Sequence, residues 1–223
     1  MSEGGPGDIM EKIKLGISAC LLGEHVRFDS GHKLDRYLTE TLGHKVEYVP
    51  VGPEVGCGFG VPRESFRLVG NPEKSRLVTT RSNQDHTDRM TAWAQKRVAE
   101  PGKENLCGYI FKSGSPSSGM ERVKVSDDNG VPAKVGVGLF ARVFLDHFPL
   151  LPTEEEGRLQ DPKLRENFIE RIFALKRWRD SSPSPSYENT PFFMPTQGLP
   201  TAARELFPKP TKSSYFMIEE KSP

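Results

Sequence analysis

The chain has 223 residues, with 31 Lys and Arg against 30 Asp and Glu, so its formal net charge is only +1. This balance excludes a global basic field that would gather nucleic acid, and any such contact has to be local. No apolar run reaches the roughly 18 residues of a membrane span, and residues 1–8 lack the apolar core of a signal peptide, so we expect a cytoplasmic protein. Three cysteines, an odd number, indicate buried thiols or a metal site rather than a disulfide framework.

Segments rich in β-branched and aromatic residues alternate with stretches of helical periodicity over residues 12–150. Strands that alternate with helices in this way form βαβ units. We therefore predict an α/β domain over residues 12–150, with a mostly parallel sheet flanked by helices. In chain order, the patterns predict a strand at 14–18, a helix at 34–42, a strand at 46–51, a helix at 90–98, strands at 108–112 and 121–125, and a helix at 139–147.

The chain changes character after residue 150. Asp161 and Pro162 are typical of a helix start, and apolar residues at helical spacing follow them to Arg179. Residues 151–179 are therefore a predicted helical extension. Residues 180–223 are rich in Ser and Pro, so we expect a disordered tail there, and residues 1–11 are expected to be flexible. We interpret the change after Arg179 as a truncation or a change of reading frame.

Three loops follow the predicted parallel strands at the edge where such sheets bind ligands. The first contains Cys20, the second contains Glu54, and the third, the serine loop (residues 112–119), is rich in Ser and Gly. We expect the loops to converge in one site, with an anion-binding nest of backbone N–H groups in the serine loop. Taken singly, each has a plainer interpretation: a buried thiol, a solvated carboxylate and a turn. Glu154–Glu156 are predicted to lie in a solvated loop or at a helix start.

Four motifs carry a specific resemblance: SACLLG at 18–23, VRFDSGHK at 26–33, PVGPE at 50–54 and SPSSGMERVKV at 115–125. With them, residues 12–179 resemble the thiouracil desulfidase family, in the subgroup that is fused to a second, helical domain. The resemblance implies a Rossmann-like fold and a 4Fe-4S cluster held by three cysteines, with one iron open. It also implies hydrolytic removal of sulfur from thiolated uracil, as a free base, as a nucleotide or in tRNA.

The resemblance assigns roles to particular residues of this chain. Cys20 matches the first cluster ligand, Glu54 would activate water or relay protons, and Ser115 would contact the base. The second ligand position is occupied by Gly52 and the third by Ser118. Neither residue supplies a thiolate.

The other two cysteines are the remaining sources of a thiolate. Cys57 lies five residues after Gly52 in a Gly-rich loop, so we take it as a candidate metal ligand. Cys107 precedes the third predicted parallel strand, roughly 16 Å from the serine loop at about 3.3 Å per residue. We therefore expect Cys107 to be structural.

These departures leave more than one function open. The first hypothesis is an iron–sulfur desulfidase. The second is a non-catalytic descendant that binds a nucleotide or an RNA base without metal, and the third is a decayed gene product that retains only the fold. The candidate substrate-binding residues are Arg27, Lys33, Lys112, Ser117 and Ser118.

Overall fold

The computed structural model describes residues 12–100, 105–127 and 129–181. Four strands form the first sheet: β1 (Ile13–Ser18), β2 (Val46–Val51), β5 (Gly108–Phe111) and β8 (Thr153–Glu155). Their order is β2-β1-β5-β8, and every neighbouring pair is parallel. The α/β fold and the mostly parallel sheet are confirmed.

The structure also contains a second four-stranded sheet, of which only one strand was predicted. It contains β3 (Phe66–Val69), β4 (Arg76–Thr79), β6 (Val123–Ser126) and β7 (Pro132–Gly136), in the order β4-β3-β6-β7. The β3–β6 pair is parallel and the two outer pairs are antiparallel. The strand predicted at 121–125 is therefore β6, which belongs to this second sheet and not to the parallel one.

The helices largely follow the predicted periodicity. The helix predicted at 34–42 is instead a π-helical turn, Tyr37–Thr41, followed by a 3-10 turn, Leu42–His44. The α-helices are α1 (Pro53–Gly56), α2 (Thr87–Val98), α3 (Leu139–His147) and α4 (Pro162–Ser181), and further 3-10 turns occupy Ala19–Leu22, Pro72–Lys74 and Arg158–Gln160. In the part of the chain described, no helix combines the length and the apolarity of a membrane span.

Aromatic side chains fill the core between the parallel sheet and α3. Tyr109 and Phe111 on β5 pack against Phe140 and Phe144 on α3, with ring centroids between 4.3 and 6.4 Å apart. Gly16 on β1 lies against the Tyr109 ring so closely that a Cβ at position 16 would collide with it. A glycine is therefore required there by packing.

The register of the parallel sheet brings the ends of its strands to one edge. Ser18 at the end of β1 pairs with Val51 at the end of β2, and Phe111 at the end of β5 pairs with Glu155 at the end of β8. The buried Ser18 hydroxyl oxygen accepts a hydrogen bond from the Lys112 N–H at 2.9 Å, which ties β1 to the serine loop. The loops after β1, β2 and β5 consequently start side by side.

The described chain falls into two compact units, one ending at Phe173 and the other beginning at Ala174. The first contains both sheets. In the second, the described residues are the last turns of α4, where Lys176 donates to Asp180 at 2.7 Å. The boundary at residue 150 stays a prediction, and the proposed flexible N-terminus and all but the first two residues of the proposed tail lie outside the described residues.

Candidate functional site

A cavity of about 310 Å³ lies at the carboxyl edge of the parallel sheet. Its wall includes Cys20 from the first loop, Glu54 from the second and Ser115 from the serine loop. The three loops thus meet at one place, which we call the site cavity. Its volume is at the lower end of the range for sites that bind small molecules.

The serine loop is fixed by the start of α3. Backbone N–H groups of Gly138, Leu139 and Ala141 donate to the carbonyls of Gly119, Pro116 and Ser117 at 2.8, 3.2 and 3.1 Å. A Cβ at position 138 would come within 2.5 Å of the Ser117 backbone. Gly138 therefore allows the helix and the loop to approach closely enough for these hydrogen bonds.

Four backbone N–H groups of the predicted anion-binding nest donate to acceptors within the protein. The N–H groups of Ser117 and Ser118 donate to the Ser115 hydroxyl oxygen at 3.4 and 3.2 Å, and the Gly119 N–H donates to the Ser115 carbonyl at 2.8 Å. The Ser113 N–H donates to Glu156 at 2.7 Å. Because these donors are already used within the protein, they are not available to an anion.

A chain of hydroxyl groups connects Ser115 to Glu54. The Ser117 hydroxyl donates to Glu54 Oε1 at 2.6 Å, and the Ser115 and Ser117 oxygens are 3.0 Å apart. A carboxylate only accepts hydrogen bonds, so the Ser117 proton points to Glu54. Because the single Ser117 hydroxyl proton is used there, Ser115 is the donor in the hydrogen bond between the two serines. The donor and the acceptor are therefore assigned in both hydrogen bonds, from Ser115 through Ser117 to Glu54.

This geometry separates the roles of the predicted residues. Ser117 is fully buried and is not part of the cavity wall, so it positions Glu54 instead of touching a ligand directly. Glu54 Oε2 accepts no hydrogen bond from any residue that the structure describes, and its charged neighbour is Arg63 at 3.8 Å. Oε2 is consequently a free acceptor for an N–H group in the cavity.

Arg63 is a site residue that the sequence did not single out. Its guanidinium donates to the carbonyls of Val26 and Gly60 at 3.1 and 3.2 Å, and its backbone N–H donates to the Phe28 carbonyl at 3.0 Å. Burial lowers the pKa of Arg63, and the Glu54 carboxylate opposes that change. Arg63 therefore joins the first and second loops and keeps a positive charge beside Glu54.

The predicted basic residues differ in how far they are engaged. Lys112 donates to Glu156 at 2.5 Å, and Glu156 also accepts from the Ser113 hydroxyl at 2.8 Å. Arg27 is paired with Asp29 at 3.3 Å. Lys33 is exposed in the cavity wall, and its ammonium group has no partner within residues 12–100, 105–127 and 129–181. Lys33 is thus the cation most available to a ligand.

Glu154–Glu156 form neither the solvated loop nor the helix start that was predicted, because Thr153–Glu155 is a strand. Glu155 is buried and accepts from the Met120 N–H at 2.7 Å, while Glu156 holds the other end of the serine loop through Lys112 and Ser113. Burial raises the pKa of Glu155, and the two backbone N–H donors oppose that rise. The acidic run at the end of β8 therefore fastens both ends of the serine loop.

All three cysteines are free and buried. Cys20 lies in the cavity wall and is 8% exposed, and burial raises the pKa of its thiol to about 11, against the opposing charge of Lys112. Cys57 is outside the cavity wall, with its Sγ 3.5 Å from Met90 Sδ, and burial raises its pKa to about 11 as well. Cys107 is buried away from the cavity, as expected of a structural residue. The structure brings one cysteine, not two, to the site.

A cluster held by three cysteines does not fit the residues of this cavity. Gly52 and Ser118 both line it, but a glycine has no donor atom and a serine hydroxyl is neutral at ordinary pH. Within the described ranges, no three His, Cys, Asp or Glu side chains are grouped so that they could hold a metal ion. The space is present, since a Cβ at position 52 would meet no heavy atom closer than 3.7 Å. The cavity therefore lacks the ligand atoms that such a cluster needs, although it has room for a side chain at position 52.

A parallel α/β sheet with a cavity at its carboxyl edge is typical of proteins that bind small molecules. A sequence model of the 2-thiouracil desulfurase family matches residues 15–156, and this chain belongs to that family. A solved structure described as the 4Fe-4S-dependent thiouracil desulfidase TudS is 26% identical, with a TM-score of 0.57, and the match covers 71% of this chain and 99% of that one. A search of curated proteins found no match.

Two aromatic residues of the cavity wall also escaped the sequence analysis. Phe28 lies within the VRFDSGHK motif and Phe66 begins β3. Both line the site cavity. Phe28 could have been predicted as a site residue because it lies within the motif at 26–33. Phe66 could not, because it reaches the cavity only through its place in the second sheet.

Proposed function

We propose that the protein binds thiolated uracil in the site cavity, without a cluster held by three cysteines. The observation that carries the proposal is that the cavity retains its oriented polar groups while only one cysteine lines it. Membership of the 2-thiouracil desulfurase family supports thiolated uracil as the ligand class.

The polar groups suit the thioamide part of a thiolated pyrimidine. Its ring N–H would donate to Glu54 Oε2, which has no other hydrogen-bond donor among the described residues. The Cys20 thiol, which remains protonated near neutral pH because burial raises its pKa to about 11, would lie beside the sulfur as a weak S–H donor. Lys33, whose ammonium group has no partner among the described residues, would contact a phosphate if the ligand is a nucleotide.

The second candidate function is hydrolytic desulfuration of thiolated uracil, with oxygen from water replacing the sulfur. The family and the similarity to TudS favour it. A cluster would supply a Lewis acid for the thiocarbonyl sulfur, but this chain contributes only Cys20 as a thiol in the cavity. The candidate therefore depends on donor atoms that the described residues do not provide.

One preparation distinguishes the two candidates. The full chain is reconstituted anaerobically with iron and sulfide, and iron content, 2-thiouracil binding by calorimetry and release of hydrosulfide are then measured. Binding without retained iron and without hydrosulfide is the expected result. Retained iron and sulfide in equal amounts, together with hydrosulfide release, would establish the desulfidase instead, and no heat of binding would contradict the proposal.

A further inference from the structure

Phe28 is a large apolar residue in the wall of the site cavity. It is 41% exposed, although it lies at the centre of the loop after β1 and lines the site cavity. Covering an exposed aromatic ring with a ligand removes apolar surface from water, which favours binding. Phe66, in the same wall, is instead packed at 5.0 Å from the Phe59 ring and 5.6 Å from the His86 ring, measured between centroids. Phe28 is therefore the more exposed of the two aromatic side chains, since Phe66 is only partly exposed.

The loop that carries Phe28 is held in place without a ligand. The Phe28 carbonyl accepts from the Arg63 N–H at 3.0 Å, and the turn that contains Phe28 is closed by the Ser30 N–H, which donates to the Arg27 carbonyl at 3.0 Å. Asp29 also accepts from the Gly31 N–H at 3.0 Å. A ligand therefore meets a ring whose backbone is already ordered, which reduces the entropy lost on binding.

One face of the Phe28 ring is occupied by a fixed cation. The Arg27 Cζ lies 5.4 Å from the ring centroid, and the Arg27 guanidinium is held by both oxygens of Asp29, at 3.3 and 3.4 Å. A guanidinium against one face leaves the opposite face for a flat ligand ring.

We propose that Phe28 is the stacking platform for the pyrimidine ring in the site cavity. The inference rests on the proposed binding of thiolated uracil and adds the residue that supplies affinity for the ring itself. Stacking engages the face of a ring and not its substituents. Phe28 therefore contributes equally to uracil and to thiolated uracil, while Glu54 reads the ring N–H.

Calorimetric titration of the full chain with 2-thiouracil and with uracil tests this role. Phe28→Ala is expected to weaken both ligands by the same factor, roughly 5- to 150-fold. Phe28→Tyr is expected to stay within about twofold of the wild-type affinity because it keeps the ring face. Phe28→Leu is expected to weaken binding despite its apolar bulk. Val131→Ala is the matched control, since Val131 is 61% exposed and does not line the cavity.

The outcomes separate this inference from the proposed function. If the wild-type chain binds and Phe28→Ala binds equally well, the stacking role is overturned and the proposed function stands. Wild-type affinity in Phe28→Leu would also overturn stacking, because apolar contact alone would then suffice. If the wild-type chain binds neither ligand, the proposed function and the inference fall together. Should Phe28→Ala fail to fold, the comparison of Phe28→Leu with Phe28→Tyr decides.

Discussion

The paired substitution Gly52→Cys and Ser118→Cys is expected to give this chain the ability to retain iron. Both positions line the site cavity together with Cys20, and they are the positions at which the family resemblance places the two missing cysteines. The double variant would present three thiols to one cavity in place of one. The wild-type chain is expected to retain no iron under the same conditions.

The structure indicates that the fold tolerates both changes. A Cβ at Gly52 would lie 3.7 Å from Val26 and 3.9 Å from Ala19, and φ at this position is −114°, which any residue adopts. Removing the glycine restricts the unfolded chain and contributes about 0.4–1 kcal/mol of stability. At Ser118, the change loses a hydroxyl contact to Ser117 at 3.4 Å, which costs about 0.5–1.5 kcal/mol. The two effects offset, so the free energy of unfolding is expected to change by no more than about 1 kcal/mol.

The assay is iron and acid-labile sulfide per chain after anaerobic reconstitution, with urea unfolding to confirm the fold. Gly52→Ser is the matched control, because it adds the same Cβ and a γ-atom without a thiol. Each single cysteine variant is expected to retain less iron than the pair, since two thiols do not complete the set of three. A folded double variant with no more iron than the wild type would refute the placement of these two positions around the cluster volume.

Three further predictions concern the polar groups around the cavity. Ser117→Ala removes the donor to Glu54 at 2.6 Å and is expected to lower the free energy of unfolding by about 1.5–3 kcal/mol; a loss below about 0.5 kcal/mol in urea unfolding would show that this hydrogen bond contributes little. Glu156→Gln, which removes the charge of a mostly buried carboxylate with three donors, is expected to cost about 1–3 kcal/mol, against less than about 1 kcal/mol for the exposed pair member Glu47 in Glu47→Gln. Equal losses would contradict this reasoning. Burial raises the pKa of Glu155 above its ordinary 4.5. The stability that protonated Glu155 contributes is therefore present below about pH 4.5 and is lost as the pH rises through the raised pKa. Glu155→Gln is expected to remove that part of the pH dependence of the free energy of unfolding, and an unchanged profile would contradict this prediction.

The parallel sheet was predictable because its first three strands are short apolar or β-branched runs. The residues of β1 and β5 are nearly all buried, which matches their composition. Fully buried strands of this kind are typical of parallel sheets. From the order of strands and helices alone, the edge at which the three loops meet could then be expected.

The second sheet and β8, the last strand of the parallel sheet, were not predictable from the same signals. Residues Pro132–Gly136 of β7 are exposed except for the last, and Thr153–Glu155 of β8 is a three-residue strand with two carboxylates. Neither carries alternation or apolar bias, so their pairing depends on partners elsewhere in the chain. The charge of Glu155 and Glu156 predicts a solvated loop or a helix start, whereas both side chains accept hydrogen bonds from the serine loop or the residue after it.

The candidate site was predictable at the level of loops but not of contacts. Motifs placed Cys20, Glu54 and Ser115 together, and the structure brings them to one cavity. The hydrogen bond from Ser117 to Glu54 joins residues 63 positions apart, and Arg63 reaches Val26 across 37 positions. Contacts of this range leave no local pattern in a sequence.

The polar framework of the cavity has a structural reason to exist that is independent of any cluster. Glu54 is held by Ser117, the serine loop is held by Glu155 and Glu156, and these bonds join the ends of separate strands. Because buried polar groups are costly when they lose a partner, the framework stabilises the fold whether or not thiolates are present. Its presence beside Gly52 is therefore not evidence for a cluster. Iron content and ligand affinity are, on this reasoning, separable properties of the chain, and the double cysteine variant should change the first while the Phe28 variants change the second.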